Sequence, residues 1–511
     1  MSPTLATTAH DHIRARLWSA AAREPLPGIA KRHFDPSGLT ITTTSGHTLH
    51  GPGQLQPFLD AGLTTTIDGA STRDPHTLAA LLVGDNPHSD QLLSHIDESI
   101  TGLQHAHAAA QPHPRPGQLL MQARTHHTDP SVYFEQLVLD GHPLHPLCRT
   151  RENLTPAQQR RYAPEHRPQL AVPLIPLPHA HVNGHWPWRD AQSRPLLPVH
   201  PLQAQRDHAT SLHQLAATPL MSLRTLALNH QPFHIKTALP IQMTSAIRQV
   251  SPAAIHNGPL LSRLLQQLAD HTRLTIQPEI ATLADDHNGH PHPHRAAIVR
   301  PNIGSLIPHA DIATPTAALA SRDPATARPL ISAFITASAH TPTSWWKHAT
   351  SILIHEPLRL LSTYGIALEA HGQNTLLVTR DATPRHAIYR DFGGVRIDPH
   401  QLHRHHPQID LAGDIAAPND PDVLHTKLIA SLFSVAIYQL IDALTRHYQD
   451  HPDTYWKHVA DTVNDSTIDT TLKDRLYAPD WPIKATTAMR LQDTPTADIW
   501  ASIPNPIKHL G

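Results

Sequence analysis

Cysteine is almost missing from this chain. Cys148 is the only one in 511 residues, so no internal disulfide can form. No run of about 18 apolar residues suggests a membrane span, and the N-terminus shows no signal-like apolar segment. Net charge is also scarce: 40 Lys and Arg against 42 Asp and Glu leave a formal charge of -2. No global field therefore recruits nucleic acid or an anionic membrane surface, and any anion site has to be local. Together these absences set the expectation of a cytoplasmic protein with small-molecule partners, no nucleic acid and no membrane. Glycine-rich phosphate cradles are missing as well, since neither a Walker loop nor a Rossmann fingerprint occurs. Any phosphate must be held by side chains.

The length allows two or three domains around sizeable cores. Histidine (45) and proline (50) are abundant, so a lone histidine carries little information. The tract HNGHPHPHR, His287 to Arg295, reads as a solvated hairpin loop between two strand-like runs. Residues 1–135 mix short helical patterns with Pro-rich and Thr-rich connections and show no concentrated chemistry. Residues 136–343 read largely as strands and loops, among them QLAVPLIPL, HIKTALPIQMTSAIR and LTIQPEIATL paired with RAAIVRPNI. Residues 344–511 begin helical, switch to a hairpin in which NTLLVTR turns at DATP into HAIYRDFGG, and continue with the apolar helix VLHTKLIASLFSVAIYQLIDALTRHY.

Four segments concentrate groups that chemistry could use. GHPLHP holds His142 and His145 between prolines that favour a rigid loop. SLRTLAL supplies Ser222, Arg224 and Thr225. HIKTALPIQMTSAIR places Lys236, Thr244, Ser245 and Arg248 in an apolar setting, and Lys and Arg with hydroxyls are how proteins grip phosphate or carboxylate oxygens. EAHGQN and YRDFGG bring the carboxylates Glu369 and Asp391 to one end of the expected hairpin, with Glu369, His371 and Gln373 on one face if the segment is extended. Two carboxylates brought together need a cation between them, and magnesium takes one or two of them plus phosphate oxygens. A cationic half and an acidic half suit a nucleoside triphosphate with its metal. One alternative is a kinase-like phosphotransferase, because Asn374 followed by Asp391-Phe392-Gly393 is similar to the metal-binding Asn and DFG of protein kinases. It lacks an HRD, a glycine-rich loop and a VAIK-like strand.

The ordered set GHPLHP with YAPE (Tyr162 to Glu165), PVHPLQ, S-x-R-T, K-x-x-L-P to T-S-x-x-R, EAHGQN, RDFGG and the K-x5-R of WPIKATTAMRL resembles the aerobactin-synthetase type of NRPS-independent siderophore (NIS) synthetases. The resemblance runs from about Gly141 to the end. It implies an α+β fold shaped like a cupped hand: a thumb (1–135), fingers with a mainly antiparallel sheet (136–343) and a helix-rich palm (344–511), often as a homodimer. It also implies ATP-dependent, AMP-forming condensation of a polycarboxylic acid with an amine or alcohol, with ATP and Mg2+. Carried over by position, Ser222, Arg224, Lys236, Thr244, Ser245, Arg248, Gln373 and Asn374 would contact nucleotide, and Glu369 and Asp391 would hold the metal. His145, Thr244, Arg248 and His371 would meet the substrate carboxylate, with His145, Arg248 and His371 at the reacting centre.

Overall fold

A computed structural model describes residues 3–59, 61–211, 213–244, 246–416, 420–494 and 498–510. Ser245 lies outside the described residues. The fold is α+β, as the resemblance implied. At the N-terminal end, helix Pro3–Arg23 packs on helices Pro75–Val83 and Ser89–Ala108 beside a five-stranded antiparallel meander running from Ile29–Asp35 to Ala70–Thr72. The second helix starts where Asp74 accepts hydrogen bonds from the N–H groups of His76 and Thr77, with Pro75 in its first turn.

The middle of the chain builds an eight-stranded sheet in which every neighbouring pair is antiparallel. Its centre is strand Phe233–Thr237, flanked by Thr225–Leu228 and His290–Pro301. The His-rich tract departs from the expected loop. Only Asn288 (φ +54°) and Gly289 (φ +82°) turn the chain, the left-handed pair that a two-residue hairpin demands. His290 to His294 lie within the following strand, where His287 pairs with His290 and Asp286 with Pro291. Asn-Gly settles the turn locally, so the histidines extend the ladder instead of looping out.

A four-stranded sheet carries the expected hairpin of Thr375–Arg380 and Thr383–Tyr389. Its turn is again two residues at positive φ, Asp381 (+47°) and Ala382 (+60°). The outer strands are Leu274–Ile276, the one parallel partner, and Asp311–Pro315. Both lie before residue 343, so the sheet draws on the chain from either side of that point. Helix Pro342–Tyr364 buries Trp345 and Trp346 completely and stops at Gly365, whose φ of +65° suits a glycine cap. The apolar run forms one 28-residue helix, Pro421–Tyr448, with a π-helical middle from Ile429 to Ile437. By length and composition it could cross a membrane, yet 67% of its most apolar window is buried inside the protein. One core joins the N-terminal helices to the C-terminal segments, while the eight-stranded sheet encloses a separate core. The candidate site lies where these two bodies meet.

Candidate active site

EAHGQN interrupts an apolar run because it is a turn linking strand Ile366–Ala367 to strand Thr375–Arg380, not the extended segment the alternation suggested. The Glu369 carbonyl accepts from the His371 N–H (2.9 Å) and the Asn374 amide (3.2 Å), and the Asn374 N–H donates to the His371 carbonyl (2.9 Å). RDFGG is tied to it. Arg390 donates from its backbone N–H to the Asn374 carbonyl (3.0 Å) and from its guanidinium to the Gln373 carbonyl (3.1 and 2.9 Å) and to buried Glu135. Tyr389 Oη accepts from the Glu369 N–H (3.1 Å) and donates to the Asp391 carbonyl (3.2 Å). A Cβ on Gly394 would stand 1.8 Å from Glu369 Oε2, so glycine there leaves room for the carboxylate in this position. Gln373 and Asn374 thus shape the turn through backbone and amide contacts.

Each acid meets lysine. Lys236 Nζ, from the central strand of the large sheet, donates to both Asp391 oxygens at 2.7 Å, and Arg300 approaches the same carboxylate at 3.5 Å. Lys427, from the long helix, sits 2.6 Å from Glu369 Oε1, with Lys484 at 3.9 Å. Desolvation opposes the charge of Glu369, but Lys427 and then Lys484 prevail and hold its carboxyl down to about 2. Asp391 is likewise held well below the usual range, with Lys236 and Arg300 outweighing burial. On the cation side, burial lowers Lys236 to about 8 against the pull of Asp391, with Arg224 and Arg300 adding to the fall. Arg224 falls to about 10 for the same first reason. Its guanidinium donates to the Gln249 carbonyl (2.6 Å). Half-buried Arg248 donates to the Met243 carbonyl (3.0 Å) and interacts electrostatically with Asp391 and Glu369. Among the described residues its guanidinium makes no other hydrogen bond.

Three imidazoles complete the cleft, and all three are tethered the same way. His142 Nδ1 accepts from the N–H groups of Leu144 (3.3 Å) and His145 (3.2 Å), His145 Nδ1 from Leu147 (3.0 Å), and His371 Nδ1 from Gln373 (3.3 Å). An Nδ1 that accepts places the proton of the neutral ring on Nε2. Desolvation keeps each ring neutral. The cations Arg16, Arg248 and Lys484 add to it around His142, and Arg490, Arg16 and Arg248 around His145. The His145 ring is fully buried, and its Nε2 has no protein partner among the described residues. The loop that carries it is braced by Gly141 at φ +66°, where a Cβ would strike the Cys148 carbonyl, and by Glu165 of the YAPE stretch. That buried carboxylate accepts from Arg151 at 2.7 and 3.0 Å and lies 3.6 Å from Arg149. Thr244 sits beside the cleft at φ +55°, a strained conformation for a β-branched residue. Ser222 lies in the turn before strand Thr225–Leu228, its carbonyl accepting from the Thr225 N–H (2.8 Å).

The structure brings together Lys236, Arg248, Glu369, His371 and Asp391 from segments more than a hundred residues apart. Sequence reasoning missed Arg300, Glu279 and Lys427. Arg300 pairs with buried Glu279 at 2.7 Å and reaches Asp391. Arg300 left a signal: a charge inside an apolar strand needs a partner.

Against known proteins, the "IucA / IucC family" model matches residues 130–193 and 188–321. A model described as "Ferric iron reductase FhuF-like transporter" matches residues 343–499, a stretch without cysteine. Staphyloferrin A synthase of Staphylococcus aureus is 25% identical over 438 residues, covering 75% of this chain and 73% of that protein. D-ornithine--citrate ligase of the same organism is 23% identical over 470 residues, covering 74% and 70%. The solved structure of ATP-bound aerobactin synthetase IucA from a hypervirulent pathotype of Klebsiella pneumoniae superposes with a TM-score of 0.77 at 17% identity, covering 98% of this chain and 99% of that one. That last likeness is one of fold. The kinase-like alternative finds no support among these proteins, and the Asn374 amide it relied on is engaged by the Glu369 carbonyl.

Proposed function

The chain belongs to the NIS synthetases of the aerobactin-synthetase type, and from that premise we infer that it is an ATP-dependent ligase joining a citrate-type carboxylate to an amine or alcohol. A carboxylate oxygen attacks the α-phosphorus of ATP and pyrophosphate leaves. The amine or alcohol then attacks the acyl carbon of the adenylate, AMP leaves, and an amide or ester forms. The observation that carries this reading is the Lys236 to Asp391 contact, which joins the basic strand of the large sheet to the acidic turn of the last segment.

In this proposal Arg224, Lys236 and Arg300 face the triphosphate, with Ser222 and Gln373 at its edge. Arg248 faces the α-phosphate and the attacking carboxylate, where negative charge gathers in the transition state. Glu369 and Asp391 fit a hard divalent cation: both are ionised and oxygen-only, and magnesium uses one or two carboxylates plus phosphate oxygens. When bound, magnesium supplies neutralisation of phosphate charge. His145 offers Nε2–H to the acid's carboxyl oxygen and later to the oxyanion, and His371 offers the same from the opposite turn. With Nδ1 held by a backbone N–H, His145 acts as a donor, not a general base. Thr244 stands on the carboxylate side.

The decisive assay supplies citrate and an amine panel with MgATP. AMP and pyrophosphate are the expected products, with hydroxamate accumulating when hydroxylamine replaces the amine. Release of ADP would overturn the reading. On the strength of the family resemblance we also propose a homodimeric, cytoplasmic enzyme, which sedimentation and cell fractionation check.

A further inference from the structure

Outside the cleft, the geometry points to a second site: we propose that His12, His107 and Asp140 bind a divalent first-row transition metal. The three come from separate elements. His12 lies on helix Pro3–Arg23, His107 on the last turn of helix Ser89–Ala108, and Asp140 in the loop leading to Gly141 and His142. One ligand atom from each lies within 4.8 Å of the others. His107 Nε2 is 2.7 Å from Asp140 Oδ1, and the two imidazoles meet edge to face at 5.6 Å.

A plain ion pair accounts for His107 and Asp140 but not for His12, whose ring makes no hydrogen bond among the described residues. A metal accounts for all three. Four-coordinate zinc holds its ligands roughly 3.3 Å apart at bond lengths of about 2.0–2.1 Å, so the ion is admitted when the 2.7 Å contact opens by about half an ångström and any wider separation, none above 4.8 Å, closes. Two imidazole nitrogens and one carboxylate oxygen suit Zn2+, Fe2+ or Co2+ better than Mg2+ or Ca2+.

The surroundings favour an open position. His12 and Asp140 line a cavity of about 260 Å³ together with Arg16, Arg322 and Asp442, which leaves room for water as the remaining ligand. Arg16, one helical turn after His12, does not compete for the carboxylate, because its guanidinium donates to the carbonyls of His12 (3.3 Å), Asp140 (3.1 Å) and Pro143 (3.2 Å). Those contacts hold the ligand loop in place. A metal there would pin two N-terminal helices to the loop that reaches His142 two residues later, a positioning role outside the chemistry.

The test uses the full chain, stripped with chelator, and Co2+ and Zn2+ as probes. One Co2+ per chain with the visible absorption of a four-coordinate ion is expected, together with a rise in Tm on adding Zn2+. His12→Gln removes no hydrogen bond and should fold normally. It should weaken binding by more than the roughly 10-fold to 100-fold that loss of an outer-shell partner costs and abolish the four-coordinate spectrum, as should His107→Gln. His290→Gln with His292→Gln, in the His-rich strand, should change neither. Cobalt bound by His12→Gln with the parent's affinity and spectrum, binding that moves with the His-rich strand, or none by the parent chain would overturn the site and leave a His–Asp ion pair, without bearing on the ligase reading, which the AMP assay decides.

Discussion

Binding of a nucleoside triphosphate beside Lys236 is expected to draw a proton from solution at mildly alkaline pH. In the free protein burial lowers this ammonium from 10.5 to about 8 even though Asp391 pulls the other way, a penalty of about 3 kcal/mol on the charged form. Phosphate oxygens replace the missing solvation and return the group to its ordinary range. If they do so fully, uptake is about 0.1 proton per nucleotide at pH 7, about 0.5 at pH 8 and about 0.9 at pH 9. Affinity therefore falls as pH rises, approaching about tenfold per pH unit between roughly 8.5 and 10. Without nucleotide, the unfolded chain holds more protons than the folded one between about 8 and 10.5, so the contribution of Lys236 to stability rises with pH through that window. Calorimetric titration of MgATP in buffers of different ionisation enthalpy measures the uptake directly. Lys236→Arg keeps the charge but cannot titrate, so its uptake above pH 8 should vanish. An unchanged uptake in Lys236→Arg, or none in the parent at pH 8.5, would refute the reasoning.

Arg248→Ala loses one hydrogen bond to the Met243 carbonyl, worth about 1 kcal/mol of stability, but should slow adenylate formation roughly 100-fold to 1000-fold; near-normal hydroxamate release by a folded variant would exclude its assigned role. Glu369 is held at about 2 against its usual 4.5, so it contributes up to about 3 kcal/mol of stability above pH 4.5 that is lost as pH falls toward 2. Glu369→Gln should flatten the acid limb of a Tm-against-pH curve. Gly394→Ala drives a methyl into the Glu369 carboxylate and should cost more activity than stability, read as kcat/KM against Tm. If activity is retained, that carboxylate is not held where it matters.

Much of this cleft was legible because charge in an apolar setting demands a partner. Lys236 in HIKTALP and Asp391 in YRDFGG each announced an unmet charge, and they meet each other at 2.7 Å. The hairpin was legible too, since DATP sits between two strand-like runs. Lys427 was not, because the helical periodicity around it reads as pure core and only the fold brings it to Glu369. The EAHGQN backbone was misread for a related reason. Alternation of side chains suggests extension, but the turn is set by hydrogen bonds from the Asn374 amide and from Arg390, which no pattern in the sequence displays. The YAPE motif matched in order without revealing its role, which is to clamp Arg151 beside the His145 loop.

The charge balance of the cleft carries a consequence for what fills it. Among the described residues, Arg224, Lys236, Arg248, Arg300, Lys427 and Lys484 gather round Glu279, Glu369, Asp391 and Asp498, and burial lowers Arg224, Lys236, Arg248 and Lys427 while Asp391 and Glu279 raise Arg300 against it. Burial keeps His142, His145 and His371 neutral, so they present N–H donors without adding charge. A magnesium-bound triphosphate answers much of the excess positive charge. In the proposed reaction Arg248 and the imidazole N–H donors meet the acid, and a citrate-type acid supplies carboxylates beyond the one that reacts. Monocarboxylates of similar size should therefore be adenylated far less well than tricarboxylates, and the preference should shrink as salt screens the cleft mouth. Equal rates for acetate-like and citrate-like acids would show that the surplus serves the nucleotide alone.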